Sequence, residues 1–132
     1  MPVLVDVGRL DRALARRLEA WLAQVEPALA REPTPRFVHD DLHEKNLMAT
    51  PGGALLALID WGDAGWGDPA LDFASMPLAA VQFALEGYGA VDGGFESRML
   101  WARAEGALGR LARDPRRAGK LRELIGILPK RD

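Results

Sequence analysis

The sequence predicts an α+β fold that is mostly helical, with one small β-hairpin near the middle of its 132 residues. Apolar residues recur at spacings of three and four over residues 6–30, which is the period of an amphipathic helix. Two short apolar runs, 46–50 and 54–59, are joined by a Pro-Gly-Gly segment and predict a hairpin with glycines in its turn. Helical patterning returns after Pro69. Because no repeat or linker interrupts this order, we expect a single domain over residues 1–132.

Prolines separate the first helix from the hairpin. The helical pattern ends before residues 31–35, because Pro33 and Pro35 lack an N–H donor and disfavour helix in the residue before them. Residues 37–39 are then expected to be extended. Glycines are frequent over residues 61–69, which predicts a loop where the backbone can approach a ligand closely.

Helices account for the rest of the chain. One or two helices are predicted after the glycine-rich loop, ending at residues 87–89, and another over about 95–112. Asp114 and Pro115 suit the N-cap and the first helical position. The last helix should therefore begin there and run to about residue 128.

Composition excludes several classes of protein. The apolar share of 48% and the charged share of 27% are ordinary for a globular domain and exclude wholesale disorder and collagen-like repeats. Without cysteine, the chain has no disulfide, thiol nucleophile or cysteine-ligated zinc. No apolar run approaches a membrane span, and the start at Met1 lacks the basic flank of a signal peptide. We therefore expect a cytoplasmic protein with no membrane partner.

Charge is distributed unevenly, although the net charge is only −2. Residues 1–97 carry 7 Lys/Arg against 15 Asp/Glu, a net −8, whereas residues 98–132 carry 10 against 4, a net +6. The largest local excess lies between Asp40 and Asp72, where seven acids accompany a single base, Lys45. Such a cluster repels itself unless it is spread over a surface or gathered around a cation. This segment is therefore the first candidate for a functional site.

The predicted hairpin places three polar residues together. Asp41 and Asn46 flank a loop of four residues, and Asp60 ends the second strand of the hairpin that Asn46 begins. Because strands joined by a tight turn return beside their own start, Asn46 and Asp60 should lie close together, with Asp41 opposite. A carboxylate and an amide oxygen suit Mg²⁺, and a second carboxylate can accept a proton from a hydroxyl. The pattern is typical of phosphoryl transfer.

The same residues carry a resemblance to a known family. The matching segments are 39–46 (H-x-D-L-H-x-x-N), 59–61 (Ile-Asp-Trp) and 67–74 (Gly-Asp-Pro-Ala-Leu-Asp-Phe-Ala). They resemble the C-terminal lobe of the aminoglycoside phosphotransferase family, the protein-kinase-like group that includes choline and fructosamine kinases. The resemblance covers nearly the whole chain. It implies a protein-kinase-like C-terminal lobe with the hairpin beside the catalytic loop.

The resemblance also implies roles for individual residues. Asp41 is implied as the catalytic carboxylate, and Asn46 and Asp60 are implied as Mg²⁺ ligands at the site of ATP or another nucleoside triphosphate. Asp72 looks like the family's buried aspartate that supports the catalytic loop, and His39 is expected to tie that loop to the backbone. The implied reaction transfers the γ-phosphoryl group to a hydroxyl of a small molecule, which is aminoglycoside-like, an amino-alcohol or a sugar.

Two departures from the family pattern stand out. Asp40 occupies a position where the family usually has glycine or another small residue, and Glu44-Lys45 replaces a common Pro-Gly. Nothing before His39 resembles the family's N-terminal lobe, since there is no Gly-rich unit between strands and no lysine before Lys45. We therefore expect a partial lobe that self-associates or requires a companion N-lobe chain.

Other functions compete with this interpretation. Aspartate and asparagine are also the residue types that turns favour, so a truncated, non-catalytic binding module is the main alternative. A metal-dependent hydrolase is a weaker one. His39 and His43 would share one face of a helix and could bind zinc, but their segment is predicted as a loop and lacks a third ligand at a familiar spacing. His43 is expected either to contact phosphate or to be solvated.

Several other side chains receive ordinary structural interpretations. Trp61, Trp66 and Trp101 are expected as packing anchors, with Trp61 also near the nucleotide by resemblance, and Asp68 is expected to cap the helix that follows it. Six bases near the C-terminus are expected to form a solvated face and not a nucleic-acid site, because helical spacing scatters them and no aromatics interleave. They are Arg110, Arg113, Arg116, Arg117, Lys120 and Arg122. Four acids are either contacts for a cationic acceptor or plain surface acids, namely Glu86, Asp92, Glu96 and Glu105.

Overall fold

The structure is a computed structural model that describes residue 5 and residues 8–128. It confirms the α+β class, mostly helical with small antiparallel sheets. The expectations about the start at Met1 and a helix beginning at residue 6 concern residues outside this described part. Contacts divide the chain into two compact units: unit 1 comprises Met1–Arg31 and Leu100–Asp132, and unit 2 comprises Glu32–Met99. No helix in the described part is long and apolar enough to cross a membrane.

Unit 1 is helical. It contains helix α1 (Arg12–Leu29), most of a long helix whose bounds are Phe95–Arg113, and a final helix over Gly119–Ile127. Residues 8–11 are not helical, and the Asp11 carboxylate accepts the N–H groups of Ala13 and Leu14 and so caps the helix that begins at Arg12. The apolar residues at spacings of three and four form the buried core, which includes Leu18, Trp21, Leu111, Leu121 and Ile125.

Unit 2 contains two small antiparallel sheets. The predicted hairpin is present as β2 (Leu47–Ala49) and β3 (Leu55–Leu58). Strand β1 (Arg36–Val38) pairs with β4 (Gly65–Gly67), which lies inside the segment predicted as a loop. A Gly-Trp-Gly strand has no apolar alternation to reveal it, so only the pairing with β1 identifies it. This second pairing holds the chain immediately before His39 beside the chain immediately before Asp68.

Helices complete unit 2. They are α2 (Ala70–Ser75), α3 (Leu78–Tyr88) and the first turn of the long helix α4 (Phe95–Arg113). The final helix of unit 1, Gly119–Ile127, is α5. The Phe73 ring packs edge-on against Tyr88 and Phe95, with ring centroids 5.1 Å apart in both pairs. This aromatic packing anchors α2, the helix that carries Asp72.

Two tryptophans are not the packing anchors that the sequence predicts. Trp66 is 77% exposed and Trp61 is 48% exposed. A two-stranded sheet gives a side chain on β4 only one flanking strand to pack against, and Trp66 meets Phe37 on that strand. Trp61 also stacks on Phe37, with 6.4 Å between ring centroids. We call Phe37, Trp61 and Trp66 the aromatic cluster.

Candidate functional site

The 39–46 loop begins with two backbone N–H groups held by one carboxylate. Asp72 Oδ2 accepts the N–H of His39 at 3.1 Å, and Asp72 Oδ1 accepts the N–H of Asp40 at 2.8 Å. Asp72 lies in the first turn of α2 and is half-buried, not buried as the resemblance implies. A carboxylate with both oxygens bonded to adjacent N–H groups fixes the direction in which the loop leaves β1.

His39 ties the loop to the hairpin from inside the unit. Its side chain is buried, and Nδ1 accepts the backbone N–H of Asp41 at 3.2 Å. The proton of the neutral ring is therefore on Nε2, which donates to the carbonyl of Ile59 at 2.8 Å. One imidazole thus connects the residue before Asp60 with the backbone of Asp41.

Asn46 holds the carboxylate of Asp41. Its Nδ2 group donates to the backbone carbonyl of Asp41 at 2.8 Å and to Asp41 Oδ2 at 3.1 Å, while the Asn46 side chain is itself buried. On the other side, His43 Nε2 lies 3.5 Å from Asp41 Oδ1, and His43 Nδ1 accepts the N–H of Lys45. The Asp41 side chain remains 39% exposed, so solvent can reach its carboxylate.

The hairpin brings Asp60 to the same loop. The N–H of Ile59 donates to the carbonyl of Asn46 at 3.0 Å, so Asp60 follows a residue that is bonded to both Asn46 and His39. Asp60 has a left-handed backbone, with φ of 62°, and its side chain is exposed. Aspartate tolerates this conformation better than most residues. Strand β3 ends at Leu58, and the backbone becomes left-handed two residues later, at Asp60.

Carboxylates gather at the site. Burial is the largest cause that raises the pKa of Asp40 above its ordinary value of 3.8, followed by the negative charges of Asp72, Asp63 and Asp41. Like charges close together favour the protonated form of one of them. The acidic residues are thus close enough in space to repel one another. Within the described residues, no group of three or more His, Asp or Glu side chains is arranged to hold a metal ion.

An ion triad that the sequence interpretation missed lies beside α2. Arg98, in the first turn of α4, is 7% exposed and pairs with Asp68 at 2.6 Å and Asp92 at 2.7 Å. Hydrogen bonds from Arg98 lower the pKa of Asp92 to about 2. Asp92 is therefore paired with Arg98, although its side chain remains 48% exposed. The sequence does indicate that Arg98 is buried, because the helical period places it one turn after the buried Phe95, on the same face of the helix.

Unit 1 has a cavity of its own. Its volume is about 450 Å³, and it is lined by Arg110, Arg116, Arg117, Gly119, Lys120 and Glu123. The expectation that helical spacing scatters the C-terminal bases is therefore wrong for four of them. The turn between the last two helices brings them together. No residue predicted for the phosphoryl-transfer site lines this cavity.

Comparison with known proteins gives a family and a set of relatives. The chain matches the phosphotransferase enzyme family (APH) over residues 3–105. It is similar to thiamine kinases from Shigella boydii serotype 4 (strain Sb227) and from Escherichia coli strains SMS-3-5 / SECEC and K12 / DH10B, with 42% identity over 66 residues in each case. The matched segment covers 47% of this chain and 23% of each thiamine kinase. No solved structure matches the chain significantly.

Proposed function

The chain belongs to the phosphotransferase enzyme family, as its motifs predict, and on that premise we propose that it carries the phosphoryl-transfer site of a small-molecule kinase. The proposed reaction moves the γ-phosphoryl group of ATP, or of another nucleoside triphosphate, to a hydroxyl of the acceptor. The observation that carries the proposal is the position of Asn46. Its side chain holds Asp41, and its backbone carbonyl holds the residue before Asp60.

Asp41 is the proposed general base. Both of its carboxylate oxygens face a side chain of the loop: Oδ2 accepts a hydrogen bond from Asn46, and Oδ1 lies 3.5 Å from His43. These contacts orient the carboxylate, and its remaining lone pairs can accept the proton of an acceptor hydroxyl. Positioning of this kind supplies much of the catalysis in phosphoryl transfer.

Asn46 and Asp60 are the proposed ligands of Mg²⁺. The Asn46 nitrogen is used in bonds to Asp41, which leaves its Oδ1 oxygen as a ligand, and the exposed Asp60 supplies a carboxylate. This oxygen pair fits the ion, because Mg²⁺ is usually bound by one or two carboxylates together with substrate phosphates and water. When bound, the metal neutralises charge on the phosphates.

The exposed apolar side chains of unit 2 support a companion lobe. Besides the aromatic cluster, Leu55 is 61% exposed and Leu56 is 64% exposed on the hairpin that leads to Asp60. Exposed apolar groups of this size mark interaction surfaces. We propose that an N-terminal lobe or a second copy of these residues covers them. Residues 1–132 by themselves should transfer phosphate at a negligible rate, because no lysine precedes Lys45 within them.

Thiamine is the acceptor to test first. It bears a primary hydroxyl, and the similar proteins from Shigella and Escherichia are thiamine kinases. Amino-alcohols, aminoglycosides and simple sugars complete the panel. The acceptor class is therefore a small molecule with a free hydroxyl.

Transfer from radiolabelled ATP, measured with a companion N-lobe chain and each acceptor, tests the proposal. We expect one acceptor to be labelled in a Mg²⁺-dependent reaction. The rate of transfer should fall at least roughly a hundredfold in Asp41→Asn, since general base catalysis contributes this much. The rate should change little in the control Asp63→Asn. Folded protein that binds no Mg²⁺–ATP would favour a non-catalytic binding module. Phosphate release without an acceptor and without a companion would favour a hydrolase.

A further inference from the structure

The Arg98 triad connects the start of α4 to the helix that holds the 39–46 loop. All four hydrogen bonds from the guanidinium end on carboxylates: Nε and Nη2 donate to Asp68, and Nη1 and Nη2 donate to Asp92. Arg98 is buried, whereas the Asp68 side chain is 20% exposed. A buried arginine with two bidentate partners is held in one orientation and holds its partners in turn.

Asp68 passes this constraint to α2. Its Oδ1 accepts the N–H of Ala70, the first residue of α2, at 3.0 Å, and its backbone carbonyl accepts the N–H of Leu71. Asp68 therefore caps the helix, as the sequence predicts. The carboxylate that caps α2 is also the carboxylate that Arg98 holds.

Asp72 lies four residues after Asp68, in the first turn of α2, and its side chain reaches the loop. The helix is only six residues long, so the cap at Asp68 is a large share of the contacts that orient it, together with the packing of Phe73. A rotation of α2 would carry both Asp72 oxygens away from the N–H groups of His39 and Asp40. The contacts therefore run from Arg98 through the cap of α2 to the residue before Asp41.

We propose that Arg98 is a positioning residue for the proposed general base, acting through Asp68 and Asp72 on the 39–46 loop. The inference rests on the proposed function for the chemical role of Asp41. The loop geometry itself is independent of that role. Removing Arg98 would leave two carboxylates facing each other without a cation, which disfavours the arrangement that orients α2.

Hydrogen exchange of backbone amides in the full chain, measured without nucleotide, tests the proposal. In Arg98→Met we expect the amides of His39 and Asp40 to exchange roughly tenfold faster or more, the signature of local opening. The Thr50 amide, which bonds to Ala54 within the hairpin of the same unit, should change much less. The matched control is Arg116→Met, which removes an exposed arginine paired with Asp114 and should leave all three amides unchanged.

Each outcome decides the question. Selective loss of protection at His39 and Asp40 supports the positioning role, even if no phosphoryl transfer is ever found. Equal loss at Thr50 would assign Arg98 to general stability, and no loss would show that the loop does not depend on it; either result overturns the proposal. If Arg98→Met does not fold, Arg98→Lys, which keeps the charge but cannot bridge both carboxylates in the same way, is judged by the same criteria.

Discussion

Asp72 accepts the backbone N–H of Asp40 at 2.8 Å, and the residue that it holds has a left-handed backbone with φ of 62°. Glycine adopts this conformation without steric cost, whereas residues with a Cβ do so at a price in free energy. The φ value gives a physical reason for the glycine or small residue that the family resemblance implies at this position. Asp72 thus stabilises a strained residue next to Asp41.

The backbone at Asp40 predicts an order of stability between two variants. Asp40→Gly and Asp40→Ala both remove the carboxylate, but only alanine keeps a Cβ at a positive φ. We expect the free energy of unfolding of Asp40→Gly to exceed that of Asp40→Ala by about 1 kcal/mol. Urea denaturation of both variants measures the difference. Equal stability, or a more stable alanine variant, would contradict the strain at this residue.

The raised pKa of Asp40 predicts a dependence on pH. The folded state binds the proton of the Asp40 carboxyl more tightly than the unfolded state does. The contribution of Asp40 to the free energy of unfolding therefore falls as the pH rises from 3.8 to above the raised pKa of the folded state. Asp40→Asn has no such group. We expect the variant and the native chain to be similar below pH 3.8, and the variant to be the more stable at neutral pH. A stability difference that stays constant from acid to neutral pH would show that neither burial nor the neighbouring carboxylates raise the pKa of Asp40 in the folded chain.

Mg²⁺ should stabilise the chain through Asp60. A ligand that binds only the folded state raises the free energy of unfolding by about 2.7 kcal/mol at a hundredfold excess over its Kd. We expect millimolar Mg²⁺ to raise the melting temperature, Asp60→Asn to remove most of that rise, and Asp63→Asn to matter less. Equal losses in the two variants would indicate general screening of an acidic surface.

The exposed hairpin predicts association. We expect sedimentation of the purified chain to show self-association, and the double change Leu55→Ser with Leu56→Ser to weaken it. The control is Phe83→Ser, which removes a side chain that is 71% exposed on α3. A clean monomer that transfers phosphate from ATP to an acceptor would contradict both the association and the need for a companion lobe.

The regular elements could be predicted because their physical signals are local. Period and turn residues identified the hairpin and the helices, although α1 begins at Arg12, after its cap Asp11, and a 3-10 turn over Pro115–Ala118 precedes α5, which begins only at Gly119. Strand β4 could not be predicted, since Gly-Trp-Gly forms a strand only because Arg36–Val38 lies beside it. The exposure of Trp66 has the same origin, because a single neighbouring strand cannot bury an indole.

The candidate site also has a part that the sequence predicts and a part that it does not. The spacing of the motifs predicts that Asp41, Asn46 and Asp60 lie near one another, because the second strand of a hairpin returns to the start of the first. The Arg98 triad joins residues 30 and 6 positions apart, and no sequence pattern pairs an arginine with two particular aspartates at such separations. The interactions that hold the loop in place therefore emerged only from the three-dimensional arrangement.

Paramagnetic broadening by Mn²⁺ tests the central claim most directly, because Mn²⁺ prefers the same oxygen ligands as Mg²⁺ and broadens the NMR signals of nearby nuclei. At substoichiometric Mn²⁺ we expect the side-chain amide of Asn46 and the backbone amide of Asp60 to broaden first, and Asp60→Asn to abolish that selectivity. The Gly94 amide, which bonds to Asp92 in the Arg98 triad, serves as the internal reference and should stay sharp. Broadening centred on Gly94, or spread evenly over the acidic residues between Asp40 and Asp72, would contradict a metal site formed by Asn46 and Asp60.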